Sequence, residues 1–358
     1  MLKVKRMLLL LTALLIWPTE LGPQSARAES EASPETINVL ITEISLPSKD
    51  IIYDPISDKI YASIPSSAGS SGNSVVPVSV PAGTIGTPVF VGSEPNKLAI
   101  SNDGQYLYVG LDGAAAVRRV DLISQTAEIQ FSLGNSFCGN FLAEDMVVLM
   151  DNPNAVAISR RNTGCSPRHE GVAIYDDGTQ RPTTTPGHTG SNVIEPSESA
   201  SVLYGYNNET TEFGFRTMSI TSSGVTVAST ISSLISGFGR DIRFDNELIY
   251  ATTGAVIDPD TESLVGTYAA TGLVYPDSSA GRVYFLSSDF SSQTQLKIFN
   301  QSTFTTITNL TIPGVMGTPS SLIKVGQDLL AFRTSDDQLF LLKLVEVNYS
   351  VYLPLLKR

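Results

Sequence analysis

The side chains with distinctive chemistry are few in this sequence of 358 residues, and they gather in one region. Its two cysteines, Cys138 and Cys165, and its two histidines, His169 and His188, all fall between positions 138 and 188. Arg160, Arg161, Arg168 and Arg181 lie in the same stretch, with Glu144 and Asp145 just before it and Arg240 and Asp241 further on. An arginine fork grips a carboxylate or sulfate through two parallel hydrogen bonds, so this set has the chemistry of a recognition surface. These ten arginines, histidines and acids are the candidate ligand-binding residues. The same arginines can instead tie neighbouring structural units through carbonyls and carboxylates, and the histidines can cap turns. Both readings stay open.

Catalytic residues cannot be named. No H-E-x-x-H, C-x-x-C, Walker or nucleophile-elbow pattern is present. Two histidines supply at most part of a hydrolytic zinc site, which needs about three N, O or S ligands. Calcium takes hard oxygen donors, and Asp50, Asp145 and Asp241 leave room for it. A metal-dependent hydrolase of lactonase type is therefore the enzymatic alternative to a binding protein, and a structural surface scaffold is the third reading.

The composition narrows the partners. The chain carries 23 Lys+Arg against 35 Asp+Glu, a net charge of −12. So acidic a surface repels phosphate backbones and speaks against nucleic acid. Residues 1–28 begin with Lys3, Lys5 and Arg6, continue with apolar residues from Met7 to Trp17, and end in Ala26-Arg27-Ala28, the pattern of a cleaved secretory signal. Eleven apolar residues are too few to cross a ~30 Å hydrocarbon core, and no later segment is long enough to span. The expected product is a secreted or cell-surface monomer whose partner is a surface protein or glycan. A short linker at 29–36 would precede the folded part, and an apolar tail at 348–358 would follow it.

The elements that must position these residues repeat. Residues 96–133 read as four short strands, NKLAIS, YLYVGL, AVRRVDL and AEIQFSL, separated by turn residues. The opening pair recurs from DIIYDPISDKIYAS at 50–63 to LIKVGQDLLAFRT at 322–334. Aligning the second strands places Tyr61, Tyr108, Ala157, Tyr204, Tyr250, Tyr284 and Leu330 in register, at spacings of 47, 49, 47, 46, 34 and 46. Seven four-stranded units of this length predict an all-β fold, a seven-bladed β-propeller over 37–347. The alternating segment Ile37–Leu46 is expected to complete the last blade as its outer strand and close the ring.

The segment PNKLAISNDGQYLYVGLDGAAAVRRVDL resembles the YVTN-type repeats of exported bacterial propellers, and the span from about 37 to 345 is similar to the YVTN/YncE-like extracellular family. That resemblance implies the propeller fold and an exported location; propellers host many activities, so it implies little about function. On this topology Cys138 lies in the loop leading into blade 3 and Cys165 in the loop between that blade's second and third strands. Both loops belong to one face, and an exported chain is expected to join the two cysteines in a disulfide.

Overall fold

Turn chemistry divides the chain into strands of two to ten residues. Tight turns fall where residues accept the left-handed backbone region, such as Asp58 (φ 54), Gly104 (φ 67) and the Asn246-Glu247 pair (φ 47 and 64). Between them, middle strands such as Lys59–Ile64 and Ala155–Arg161 are buried almost continuously, while outer strands such as Thr126–Ser132 stay largely open to solvent. The computed structural model describes residues 36–288 and 293–347. The signal segment, nearly all of the linker and the C-terminal tail expected from sequence lie outside the described residues.

Seven antiparallel sheets result, each with at least four strands. Their inner strands are Asp50–Asp54, Pro95–Ile100, Leu142–Val148, Val193–Pro196, Ile242–Asp245, Leu273–Asp277 and Pro319–Val325, here counted as blades 1 to 7. Blade 1 gains a short fifth strand, Val89–Phe90. The N-terminal strand Thr36–Ser45 pairs residue by residue with Gln338–Val347 as the outer strand of blade 7. The two ends of the described chain are thereby stitched by ladder hydrogen bonds, and the ring has no open seam.

The core sits between blades. Seven apolar clusters each mix residues of two adjacent sheets, such as Ile60 and Val78 of blade 1 with Leu339 and Leu341 of blade 7. The tyrosine register has a physical cause at this boundary. Tyr61, Tyr108, Tyr204, Tyr250 and Tyr284 each occupy the third position of their blade's second strand. The ring is buried, and in several blades its hydroxyl reaches the next one: Tyr108 donates to the Pro153 carbonyl at 2.9 Å, and the Tyr250 hydroxyl accepts from Gln301 at 2.7 Å. Blade 5 accounts for the spacing of 34, because its strands have only four or five residues and its turns are short.

Candidate functional site

The loops that lead into inner strands share one face of the ring with the loops between second and third strands. On that face, residues Asn135–Ser136 and Gly139–Asn140 form a small hairpin ahead of blade 3. Cys138 in this hairpin is joined to Cys165 in the 162–168 loop, as the sequence led us to expect. Gly164 permits the approach: its N–H donates to the Cys138 carbonyl at 3.1 Å, and a Cβ there would stand 2.6 Å from that oxygen.

From the disulfide a chain of ion pairs runs across blades 2, 3 and 4. Arg161 reaches Asp112 of blade 2 at 2.9 Å and Glu144 of its own blade at 2.7 Å. Arg168 pairs with Glu209 of blade 4 at 3.0 Å, and its backbone N–H donates to the same carboxylate. Asn192 donates to the other oxygen of Glu209 at 3.1 Å. Burial works against the Glu209 charge, but the bonds from Arg168 outweigh it and hold this carboxyl below the usual range. Asn208, next in the same loop, donates to the Arg240 carbonyl, and so links the chain of contacts to the loop leading into blade 5.

The remaining candidates separate. Arg160 is buried, lies over the Phe141 ring and donates to the carbonyls of Glu170 and Gly171 and to Gln180. His169 is also buried, and neither ring nitrogen has a hydrogen-bond partner among the described residues. Burial, then the nearby Arg216 and Arg160 charges, push its pKa down to about 3, so it is neutral at ordinary pH. His188 is exposed on the same face; its backbone N–H donates to the His169 carbonyl at 2.7 Å. Arg181 stands apart from the cluster: it forks onto Asp176 at 2.7 and 2.8 Å and donates to the Thr221 carbonyl, beside the turns of the opposite face.

Asp145 and Asp241 face the central channel, a cavity of about 710 Å³ lined by the inner strands. Three of its carboxylates serve as clips between blades. Asp50 accepts the Leu98 N–H at 3.1 Å, Asp145 the Ile194 N–H at 2.9 Å, and Glu195 the Phe244 N–H at 3.2 Å. Arg243 bridges Glu195 at 2.6 Å and Asp241 at 3.5 Å. Deep in the ring, away from bulk water, burial pushes the Asp145 carboxyl up to about 6 against the pull of Lys97, and that of Glu195 up to about 7 against the pull of Arg243. Both oxygens of Asp50 and of Asp145 are already engaged by protein donors. Among the described residues no group of three or more His, Cys, Asp and Glu is arranged to hold a metal.

Sequence reasoning passed over Phe137, Lys97, Glu195 and Arg243. Phe137 is fully exposed at the tip of the disulfide-bonded hairpin. The other three carry a legible signal, a charged residue inside a short apolar strand at the innermost position of a blade.

No protein-family model matches this chain, and no curated protein matches it. Among solved structures it is similar to the β-propeller domain of Cps50 (Swd1) from Myceliophteria thermophila, with a TM-score of 0.64 at 12% identity over 84% of this chain and 99% of that one. In all, 1202 solved chains match the structure. A match that broad at so low an identity establishes the propeller fold and is silent on activity.

Proposed function

We propose that the protein is an exported, non-enzymatic propeller of the extracellular bacterial kind that holds a protein or glycan partner through the loops of blades 3 and 4. The leader-like N-terminus and the disulfide support export. The observation that carries the binding reading is Phe137: a fully exposed aromatic ring on a hairpin pinned by the Cys138–Cys165 bond. A large apolar side chain held out on a rigid support is the usual anchor of an interface, because little conformational freedom is lost when it is buried. Phe238, also largely exposed, extends the apolar character to the loop leading into blade 5, where its ring packs edge-on against Phe213 at 4.9 Å. The paired arginines of the same face keep the loops in place and offer a polar rim.

The test compares the wild type with Phe137→Ser and with Phe137→Ser combined with Arg168→Ala. Retention is measured on immobilised envelope polysaccharides and on purified surface proteins of the source cell. Saturable retention that the substitutions abolish, at unchanged melting temperature, is the expected result. Retention that survives both variants, or lactone hydrolysis that requires added calcium, overturns the reading.

A further inference from the structure

The channel holds a charge that the fold leaves without a partner. Lys97, on the inner strand of blade 2, lines the cavity, and among the described residues its ammonium has neither a hydrogen bond nor an ion pair. This is not for want of carboxylates, since Asp50, Asp145 and Asp241 all act on it. The oxygens of Asp50 and Asp145 are taken by backbone N–H groups and by Ser321. Asp241, three blades round and just before blade 5's inner strand, is the least engaged: one oxygen accepts the Ile242 N–H at 2.9 Å, and the other lies 3.5 Å from Arg243. Further along the inner strands the lining turns apolar, with Ile100, Val148, Phe244 and Ile323.

These features restrict what can occupy the space. About 710 Å³ falls within the ~300–1,000 Å³ of small-molecule sites. Carboxylates and cations stand side by side in the lining, so a plain anion meets Asp50 and Asp241 and a plain cation meets the Lys97 ammonium. We propose that the channel binds a small zwitterion with an apolar body, the ligand's carboxylate on the Lys97 ammonium and its ammonium on the Asp241 carboxylate. Burial opposes the Lys97 charge, but the three surrounding carboxylates prevail and raise its pKa, so the recognising ammonium stays protonated. The site lies inside the ring and is independent of the partner surface at Phe137; neither reading depends on the other.

The test is calorimetric titration of the wild-type protein with two zwitterions, leucine and 6-aminohexanoate, each set against the acid and the amine that make up its halves. Saturable binding of at least one zwitterion, about tenfold or more tighter than either half, is expected. Lys97→Met and Asp241→Asn should each weaken it by about tenfold or more, and Lys97→Arg should largely restore it. Failure of both zwitterions to bind, equal binding of an isolated amine or acid, or unchanged affinity in Lys97→Met overturns the proposal. The comparison of whole and half ligands uses the native chain and decides the matter even where a variant fails to fold.

Discussion

On the face of blades 2 to 4, Arg161 and Arg168 each meet carboxylates at 2.7–3.0 Å, and Glu209 is held as an anion. In the channel, Asp50 and Asp145 meet backbone amides, Lys97 meets no hydrogen-bond or ion-pair partner among the described residues, and Asp145 and Glu195 are pushed towards protonation. Both regions are built from the same residue types. The difference lies in what most of the acids accept: side-chain cations in the first, and in the second peptide N–H groups at Asp50 and Asp145, with Arg243 reaching only Glu195 and Asp241. An amide satisfies a hydrogen-bonding oxygen without neutralising its charge, so the clips hold the blades together and leave an electrostatic field in the cavity. Ordered charge on the face serves stability; uncompensated charge in the channel is available to a ligand.

The largest expected effect breaks the face at its root. Replacing both Cys138 and Cys165 by Ser should lower stability by about 3 kcal/mol in urea unfolding, because the unfolded chain regains the freedom of the closed loop. Arg161→Met should come next, at about 2 kcal/mol: it leaves Asp112 and Glu144 facing each other, though both keep some water contact. Arg168→Ala should cost only about 0.5 kcal/mol, since its side chain is 47% exposed and water screens the pair. If Arg168 proves as costly as Arg161, the gradient from buried tie to exposed tie is wrong.

A change of pH sharpens the contrast, because the two regions respond with opposite sign. The Asp145 carboxyl rises from 3.8 to about 6 on folding, so its contribution is complete below the lower value and is lost as pH rises through the higher one. Asp145→Asn should therefore flatten the fall in melting temperature between pH 4 and 6. Glu209 is depressed on folding, so its contribution is present above its unfolded value of 4.5 and is lost as pH falls through the folded one. Glu209→Gln should remove that acid-side loss. The smallest stability effect belongs to Phe137→Ser, within about 0.5 kcal/mol, since the ring packs on nothing it would leave empty.

Much of the architecture was legible in the sequence because propeller blades are local. Each meander is specified by alternation and turn residues within about fifty positions, and the Tyr61-to-Tyr284 register marks the same strand position in five blades. The disulfide followed from the same topology, since it needed only the knowledge that two loops share a face. The fate of the arginines did not follow. Arg160 and Arg181 look alike in sequence, yet one is buried against carbonyls and the other forks onto Asp176 near the opposite face. Which acid lies opposite each guanidinium depends on blade-to-blade rotation, and no short-range pattern encodes it.

Strand order, blade number and the pairing of Cys138 with Cys165 were thus settled by residue pattern, because they depend on period and on neighbours along the chain. The free ammonium of Lys97, the exposure of Phe137 and the acid clips between blades were decided only when the ring closed. They join residues roughly one blade or more apart, and the energy of a charge is set by what surrounds it in space.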